Sequence, residues 1–561
     1  MKTIKYLTMA ALALMMTTSC SNDDNELTTQ EPAQTNGITI TAQLAPKNAL
    51  TRAVVDNGDN KITVTWAEDE HLAILYGSNK KADARITDVT AGVATIEFTV
   101  DGGTADNTPC TIVYPYDAAK DDNSGVKDDV TLLGAQDGTL NANLDVRVGA
   151  GTIHTSPASL TVNTQPTAKY AIFKFTLTKS DESDLNATSL AILAGGTPCM
   201  VIPASATNVL YAALPAVSSQ TVSFVAYSGS DNKTYAWSKA SVSFDEGYYY
   251  QSALQLSEQA LQGSGTSVDP YQIYSKADWN SFAAIVNGGT SDVHAKQMAP
   301  INGITTVVGS ESNPFAGTYD GQGYAINNVA ITGGSSNRGL FGYVDGVSAV
   351  IQNVVVASGT VSSSSYNIGG IVGQLYAGTV QYCANYANVR TTYTYGYAEC
   401  GGIVGKMHSS GGTMVIDHCI NFGNVEARKH VAGIAGNFGK GTITYCQNYG
   451  TISATLTSND EGLRCGGICG YSASTLTNNH NGGNISRAYS YSNPYTIIKG
   501  SASNVDASNT YLSSITVTCG SNTFTGDDLK NYKRGATAVD TNPTGIIIGG
   551  HYYAGPGAPE P

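Results

Sequence analysis

Short runs of alternating apolar and polar residues dominate the chain between positions 38 and 256, and Gly, Asn and Asp separate them. A period of two predicts antiparallel strands with one buried face. The strands are predicted at 38–42, 62–66, 72–76, 93–100, 111–114, 170–177, 189–193, 209–214, 221–227 and 248–256. With no helical stretch between them, these strands indicate two β-sandwich modules.

The join between the modules is predicted near 145–165, because Gly149, Gly151, Pro157 and Pro166 interrupt the alternation there. The first module is therefore assigned to 38–150 and the second to 151–258. Breaks of this kind, rich in glycine and proline, commonly mark the end of one sheet and the start of the next.

One later segment has helical periodicity, at 276–287, after a Ser/Gly/Gln-rich connector at 257–268. Ser275 is a suitable N-cap and Asp278 follows three positions later, as in a capping box. The apolar stripe of this helix, at i, i+3, i+4 and i+7, is Trp279, Phe282, Ala283 and Val286. We expect it to cap the open end of a stacked core, because a terminal repeat leaves one face unpaired. The region 259–337 is assigned to the connector, this helix and a lead-in coil.

From 338 to 490 the pattern repeats. Glycine-rich pads (GLFG, GGIVG, GGIVG, AGIAG and GGICG) recur with spacings of 31, 32, 31 and 34 residues between their closing glycines, which are Gly342, Gly373, Gly405, Gly436 and Gly470. A fixed period predicts one unit copied several times, and the short strands turned by Gly and Asn favour a β-helix. Asparagines recur at one position of the unit, where we expect left-handed backbone and amide ladders between coils: Asn385, Asn421, Asn448 and Asn481.

Composition agrees with an all-β protein. The 561 residues include 61 glycines and 33 tyrosines, and 13% are charged. The net charge of −14 argues against nucleic acid and anionic membrane surfaces as partners, because both would repel the protein.

The N-terminus has the features of an export signal: Lys2 and Lys5, an apolar stretch at 7–16 too short to span a bilayer, and small residues before Cys20. It resembles a bacterial lipoprotein signal, with Thr17 where Leu is commoner. The resemblance implies acylation of Cys20 and an outer-membrane location at the cell surface. Residues 21–37, which are polar and include Pro32 and Gly37, indicate a flexible tether. An ordinary secretory signal with an incidental cysteine is the alternative.

Five segments carry a family resemblance: Leu50-Thr51-Arg52-Ala53, the strand ending at Trp66, Val113-Tyr114-Pro115-Tyr116, residues 169–177 (KYAIFKFTL) and Gly247-Tyr248-Tyr249-Tyr250. As an ordered set over 36–258 they resemble the fimbrillin family of type V pilins. The resemblance implies proteolysis after Arg52, leaving Ala53 as the new N-terminus, and a groove that accepts a strand from a neighbouring subunit. An uncut, standalone module with Arg52 as a surface residue is the alternative.

The repeats resemble the GLUG repeat, and the segment 315–323 (FAGTYDGQG) matches the usual lead-in. The resemblance covers about 265–490. GLUG repeats occur in bacterial surface proteins, including adhesins and immunoglobulin-cleaving metallopeptidases. This chain has no HExxH motif, so the peptidase precedent is missing.

Ten cysteines in an exported chain suggest disulfides, but the repeats favour another interpretation. Cys383, Cys419 and Cys446 share a position with Val354. Cys400 and Cys465 share one with Ile and Val, and Cys469 aligns with Val and Ala. Such positions are typical of buried apolar sites, so we expect a stack of free thiols. A bond between adjacent coils stays open, and zinc at Cys465 and Cys469 is disfavoured because no histidines cluster there.

No catalytic site, metal or cofactor is expected. Asp417-His418 could form half of a catalytic pair, but sister repeats have other residues at both positions, and no acidic cluster of the kind that polysaccharide lyases need recurs. Tyrosines offer flat apolar area with a hydroxyl tip, suited to a protein or glycan ligand: Tyr376, Tyr382, Tyr386, Tyr393, Tyr395 and Tyr397. Each could equally be an ordinary outward strand residue.

Taken together, the sequence predicts a surface lipoprotein that acts as an adhesin, either a pilus tip or accessory subunit assembled by donor-strand exchange or a standalone protein. Its partners would be pilus subunits, or a protein or glycan on another surface. A glycan-binding or glycan-degrading β-helix and a structural spacer are the alternatives. Residues 491–561 form a Ser/Thr/Gly-rich segment of unknown role.

Overall fold

A computed structural model describes residues 37–46, 66–120, 122–396, 398–457, 464–471, 475–489, 498, 506–530 and 536–556. The fold is nearly all β, with N-terminal sheets followed by a solenoid of about six turns, which confirms the predicted fold class. Among these residues, no helix is long and apolar enough to cross a bilayer.

The first module is a seven-stranded antiparallel sheet in the order β1-β4-β3-β2-β5-β6-β7. Its strands are β1 (Ile38–Leu44), β2 (His71–Tyr76), β3 (Lys80–Thr90), β4 (Val93–Val100), β5 (Thr108–Tyr114), β6 (Arg147–Thr155) and β7 (Ala158–Ala168). The sheet curls until its two edge strands meet, and Ala45 N donates to Gln165 Oε1 over 3.1 Å. The inner face forms one apolar core that includes Ile40, Phe98 and Ile112.

The predicted join at 150 is wrong, because it lies inside β6 and the first sheet continues to Ala168. The interrupting glycines belong to irregular pairing between β6 and β7, where the register shifts twice near Ala150. A Cβ on Gly149 would lie 2.6 Å from Thr164 O, so the close approach of the two strands requires glycine. Pro166 is tolerated because β7 is an edge strand.

The second module is a mixed seven-stranded sheet in the order β10-β9-β12-β13-β14-β8-β11. A short helix, α1 (Asp129–Leu133), precedes its strands, which are β8 (Ala171–Lys179), β9 (Ser189–Ala194), β10 (Thr197–Val201), β11 (Val209–Leu214), β12 (Val217–Ser228), β13 (Lys233–Phe244) and β14 (Tyr249–Gln259). Its core includes Phe175 and Phe224, and also Ala73 and Val113 from the other face of the first sheet. The two modules therefore share a buried interface.

A lead-in to the solenoid follows β14 directly: β15 (Tyr271–Ile273), α2 (Lys276–Asn287), β16 (Ala295–Gln297) and β17 (Ile301–Asn302). Helix α2 confirms its prediction. Ser275 Oγ accepts from the backbone N–H groups of Ala277 and Asp278. The stripe of Trp279, Phe282, Ala283 and Val286 is fully buried in the solenoid core, which it closes at one end.

Each of the six coils from β18 to β41 contributes one strand to each of three walls. The coils contain β18 (Thr318–Asp320), β19 (Ala325–Asn327), β20 (Val329–Ile331), β21 (Phe341–Gln352), β22 (Val355–Val356), β23 (Gly359–Ser363), β24 (Ile368–Gly369), β25 (Val372–Gln381), β26 (Ala384–Asn385), β27 (Asn388–Thr391), β28 (Cys400–Gly401), β29 (Val404–Met407), β30 (Met414–Asp417), β31 (Ile420–Asn421), β32 (Val425–Ala427), β33 (Val431–Ala432), β34 (Ala435–Phe438), β35 (Thr442–Thr444), β36 (Gln447–Asn448), β37 (Ile452–Ala454), β38 (Cys465–Gly466), β39 (Thr475–Thr477), β40 (His480–Asn481) and β41 (Ile485–Arg487).

The C-terminal region, whose role the sequence left open, continues two of the walls with β42 (Thr510–Leu512), β43 (Val517–Cys519), β44 (Asn522–Phe524), α3 (Asp527–Lys530) and β45 (Thr537–Val539). It ends in a two-stranded C-terminal hairpin of β46 (Ile546–Ile548) and β47 (His551–Tyr553).

The first wall has the strand path β15-β16-β18-β21-β25-β30-β35-β39, and the second wall has the order β17-β19-β22-β26-β31-β36-β40-β42-β45. The third wall has the order β20-β23-β27-β32-β37-β41-β43-β44, and β24, β28, β33 and β38 form a short fourth sheet. Neighbouring coils pair in parallel. The solenoid sheets thus begin at Tyr271 and continue to Val539, so the predicted limits of 338 and 490 were too narrow.

Candidate functional site

Strand β1 occupies a groove at the edge of the first sheet. Among the described residues it pairs with β4, in an antiparallel register from Ile38 opposite Val100 to Leu44 opposite Ala94. Its inward side chains, Ile40, Ala42 and Leu44, are buried in the core of the module. Without β1, the backbone edge of β4 and an apolar strip of this core would be open.

The chain leaves β1 at Pro46 and is described again from Trp66, whose Nε1 donates to Ala45 O over 2.9 Å. The two ends of this segment therefore lie next to each other. The predicted processing site at Arg52 and Ala53 lies between them, outside the described residues, as does the predicted lipidation site at Cys20. Both stay predictions.

A second open strand edge lies in the second module. Strands β13 and β14 pair from Thr234 to Ala236 and then diverge. Beyond that point β13 stays paired with β12, and β14 stays paired with β8. The split between them is a groove of about 320 Å³. Its apolar lining includes Phe173, Phe175, Phe224, Trp237 and Phe244.

The recurring asparagines form a buried ladder along the second wall: Asn385, Asn421, Asn448 and Asn481. Each Nδ2 donates to Oδ1 of the next, over 2.9, 2.9 and 2.8 Å, and this confirms the predicted amide ladder. The predicted left-handed backbone at these positions is wrong, because they lie in strands. Positive φ occurs three residues earlier, at Tyr382, His418, Tyr445 and Asn478.

The glycine pads lie directly against this ladder. A Cβ on Gly402 would lie 2.2 Å from Gly433 O and 2.3 Å from Asn421 Cγ. A Cβ on Gly370 would likewise clash with the side-chain amide of Asn385, and a Cβ on Gly433 would clash with that of Asn448. The pad is glycine-rich because no side chain fits between one coil and the amide of the ladder.

The nine described cysteines are buried free thiols, and this confirms the prediction that the repeats gave for six of them. The predicted register is also correct: Cys400 pairs with Ile368 and Val431, Val431 pairs with Cys465, and Ala435 bridges to Cys469. Burial raises the pKa of the Cys383 and Cys446 thiols, which favours the protonated form. Within the described part of the chain, no cluster of His, Cys, Asp or Glu could hold a metal ion.

Asp417 and His418 contact each other, with 2.8 Å between His418 Nδ1 and Asp417 Oδ1. The imidazole ring is also stacked between Tyr382 and Tyr445, at ring-centroid distances of 5.0 and 4.7 Å. This His418 column runs along one corner of the second wall. The histidine therefore occupies a structural position in the stack.

The structure distributes the described candidate tyrosines among four places. Tyr376 lies on the first wall between Tyr343 and His408, and Tyr382 belongs to the His418 column. Tyr393 and Tyr395 lie in the loop between β27 and β28, and Tyr397 lies outside the described residues. Tyr386 heads a second column, described next. They do not form one continuous surface.

The Tyr386 column runs along the opposite corner of the second wall and contains Tyr386, Phe422 and Tyr449. The first two rings stack at 4.4 Å with 13° between their planes, and Phe422 lies 5.5 Å from Tyr449. Gly555 closes the far end, since a Cβ there would lie 2.1 Å from the Tyr449 ring. Tyr386 at the near end keeps 39% of its surface exposed.

The C-terminal hairpin covers the second wall between the two columns. Ile546 and Ile548 pack on the outward side chains of Val355, Ala384 and Ile420. Residues 542–549 cross this wall from the sixth coil to the first. Asn542 contacts His480 in the sixth coil at 2.9 Å, and Gly549 lies against Gly323 of the first coil. The sequence offered no sign of this contact, because Ile546 to Ile548 is a short apolar run with no repeat partner.

A cleft of about 440 Å³ opens where three parts of the chain meet. The solenoid contributes Tyr386 and Phe422. The other lining residues come from the first module and from the C-terminal segment: Lys120, Asp122, Lys127, Asp128 and Thr131, and Tyr552, Ala554, Gly555 and Pro556. The sequence indicated Tyr386 as a candidate ligand residue. It gave no sign of the cleft residues from the first module and the C-terminal segment, because these are distant from Tyr386 in sequence and carry no motif.

No protein-family model and no curated protein matches the chain. The two family resemblances therefore remain predictions. Among solved structures, the chain is similar to a protein from Bacteroides fragilis assigned to cell adhesion (9% identity, 39% of this chain and 95% of that chain, TM-score 0.25). A fimbrial assembly protein from Parabacteroides distasonis matches at 14% identity, over 40% of this chain and 92% of that chain, with a TM-score of 0.24. A fimbrial protein from Bacteroides ovatus matches at 8% identity, over 41% and 53%, with a TM-score of 0.21. Scores this low carry no conclusion about function.

Proposed function

We propose that the protein is a cell-surface adhesin that works as a pilus tip or accessory subunit and is held by a strand from a neighbouring subunit. The observation that carries the proposal is the position of β1, an edge strand of the described sheet that ends eight residues before Arg52. In the precursor, acylation of Cys20 would hold the chain at the outer membrane. Proteolysis after Arg52 would then separate β1 and the lipid from the rest of the chain.

Loss of β1 would leave a site that needs another strand. The fully buried side chains of Ile40 and Leu44 contribute about 1.5–3 kcal/mol each, and the edge of β4 would lose its backbone partners. An extended segment with alternating apolar residues restores both kinds of contact, which is the physical basis of strand addition.

The junction between the second module and the solenoid favours a terminal position for this protein in an assembly. Strand β14 continues into the solenoid, where the hydroxyl groups of Thr234 and Ser275 hydrogen-bond across the junction. Ala299 of the lead-in also packs on Met200 and Val225 of the second module. Because β14 continues into a solenoid that itself packs on the second module, it is poorly suited to be donated to a further subunit. The solenoid would then be the part presented to the target.

The experiment uses β1 itself as the probe strand. A fluorescent peptide of residues 37–46 (GITITAQLAP) is added to the purified chain after cleavage by an Arg-specific protease, with N-terminal sequencing to show Ala53. We expect the cleaved chain to take up the peptide. A peptide with Ile40→Asp and Leu44→Asp, matched in length, should not bind, because it would bury two carboxylates.

An Arg52→Ala chain treated with the same protease is the matched control, and it should keep its own β1 and exclude the peptide. Equal uptake by the cleaved and uncleaved chains would contradict the proposal and indicate the split between β13 and β14 instead. The mature N-terminus on intact cells, acylated Cys20 or Ala53, then distinguishes a standalone lipoprotein from a processed subunit.

A further inference from the structure

The cleft beside Tyr386 has two chemically different walls. The aromatic wall consists of Tyr386 and Phe422 from the solenoid and Tyr552 from the C-terminal hairpin. The polar wall consists of Lys120, Asp122, Lys127, Asp128 and Thr131 from the first module. A ligand that fits must therefore present one apolar face and one face rich in hydrogen-bonding groups.

Both walls are held in place by hydrogen bonds of their own. Tyr386 N donates to Val356 O over 2.8 Å, which anchors the head of the column to the previous coil. On the other side, Lys120 N donates to Gly125 O and Lys127 N donates to Ala118 O, so the polar loop is a closed turn. Asp128 caps α1 by accepting from Thr131 N over 2.7 Å.

The C-terminal side of the cleft is also pinned. Asn542 Nδ2 donates to Pro556 O over 2.8 Å, and Gly555 lies against the Tyr449 ring. The cleft is thus an arrangement between three ordered segments. A site whose backbone is preformed in this way spends little binding free energy on ordering its own loops.

Among the described lining residues, the polar wall has two lysines and two aspartates, so their charges balance. Together they supply both donors and acceptors, but no excess of positive charge for a phosphate, sulfate or carboxylate ligand. The volume of about 440 Å³ lies in the range of small-molecule sites and is too small for a folded partner. A pyranose ring has the matching chemistry, with an apolar C–H face for the aromatic wall and hydroxyl groups around its edge.

We infer that this cleft binds a neutral pyranose unit of a surface glycan. The inference names the ligand class of the adhesin proposed above and rests on that proposal for its biological meaning. The sugar stacks on the exposed ring of Tyr386, and its hydroxyl groups hydrogen-bond to the lysine and aspartate side chains opposite. The first module and the end of the chain both contribute to the site, so the solenoid alone would not form it.

The test is titration of the full chain with methyl β-D-glucopyranoside, methyl β-D-galactopyranoside and methyl α-D-mannopyranoside, and with oligosaccharides of the same sugars. Saturation-transfer NMR detects weak binding and calorimetry measures it. We expect at least one neutral sugar to bind and none to be cleaved. Tyr386→Ala should weaken binding about tenfold or more, and Tyr386→Phe should retain most of it, because the ring supplies the stacking surface.

Two further variants separate recognition from folding. Lys127→Met lies in the other wall, far from Tyr386 in sequence, and should also weaken binding. Tyr395→Ala is the matched control, since that tyrosine is 77% exposed in a loop away from the cleft, and its binding should equal that of the unmodified chain. Circular dichroism of each variant reports the fold.

Absence of binding to every neutral probe would overturn the inference, as would binding to sialic or uronic acids alone. Unchanged affinity in both Tyr386→Ala and Lys127→Met would also overturn it. Sugar binding does not depend on cleavage after Arg52, so the Arg52→Ala chain should bind sugar as the unmodified chain does. Failure of peptide uptake in the strand-exchange experiment would therefore leave sugar binding unchanged. The two proposals can thus fail separately.

Discussion

The side-chain amide of Asn385 donates a hydrogen bond to Oδ1 of Asn421 in the next coil, over 2.9 Å, and both residues are fully buried. Asn385 Nδ2 also donates to Ala387 O, and Asn421 Nδ2 donates to Gly423 O in the same way. Both donor positions of each amide are therefore used, one within its coil and one between coils. The ladder ties the solenoid together along the axis in addition to the backbone pairing.

We expect Asn421→Ala to lower the free energy of unfolding by about 3 kcal/mol. The change leaves Asn385 Nδ2, Asn448 Oδ1 and Gly423 O with fewer partners, and an unsatisfied buried polar group costs about 1–3 kcal/mol. Chemical denaturation measures the difference. Asn388→Ala, at an exposed position of the preceding coil, should cost less than about 1 kcal/mol, because it removes a single solvent-exposed hydrogen bond, from Asn424 N to Asn388 Oδ1 over 3.3 Å. A similar loss in both variants would show that the ladder has no special role.

A second prediction concerns the pad glycine beside the ladder. Gly402→Ala should destabilise the solenoid by about 2 kcal/mol or more, because the added methyl group would lie 2.2 Å from a backbone oxygen of the next coil. Gly334→Ala is the control, since the nearest atom to its Cβ, Ser364 Oγ, is at ordinary contact distance (3.4 Å). Thermal unfolding of the two variants compares them. Equal melting temperatures would mean that the coils move apart easily.

Two adjacent isoleucines test the C-terminal hairpin. Ile548 is fully buried on the second wall, whereas Ile547 is 56% exposed. Ile548→Ala should cost about 2–4 kcal/mol of docking energy and make the C-terminus sensitive to limited proteolysis, while Ile547→Ala should behave like the unmodified chain. Identical digestion patterns for the two variants would argue against a docked hairpin.

Acidification should weaken the contact between His480 and Asn542, which also holds the C-terminal hairpin on the second wall. Burial lowers the pKa of His480 to about 4, so the folded protein keeps this histidine neutral while the unfolded chain protonates it near pH 6.5. Between these values the unfolded state binds more protons. Stability therefore falls as the pH decreases from about 6.5 to about 4, by about 3 kcal/mol in all from this residue.

His480→Gln is the variant that isolates this effect, because an amide can still reach Asn542 and Thr510 but does not titrate. The difference in unfolding free energy between the unmodified chain and His480→Gln should shrink as the pH falls through this window. A difference that is constant from pH 7 to pH 4 would contradict the assignment.

The stack of Cys383, Cys419 and Cys446 should behave as core filler. Cys419→Val should change stability by less than about 1.5 kcal/mol, because Val354 fills the corresponding position in an earlier coil. In the native protein the described thiols should resist alkylation, and they should all react after unfolding. A mass lower by two hydrogens and fewer reactive thiols after unfolding would indicate a disulfide between coils.

Local patterns predicted the elements that local contacts stabilise. Helix α2 was predicted with its N-cap and buried stripe because a capping serine and i, i+3, i+4 spacing act within a few residues. Strands β6 and β7 were missed as strands because glycines and a proline mark their irregular pairing, and such residues also mark linkers. Strand β13 was missed because its exposed stretch from Ser238 to Ser241 shows little alternation.

The sequence by itself determined the coil of this protein. Every coil pairs with the next copy of the same unit, so equivalent positions of neighbouring repeats contact each other. These contacts can be predicted from three repeating features: the period of the glycine pads, the recurring asparagines, and the exchange of Cys for Val and Ile. Only the tertiary structure decided what covers the second wall and what surrounds Tyr386. Asp128, Tyr386 and Tyr552 meet across more than half of the chain, and no periodic pattern can encode a contact between segments that are not copies of each other.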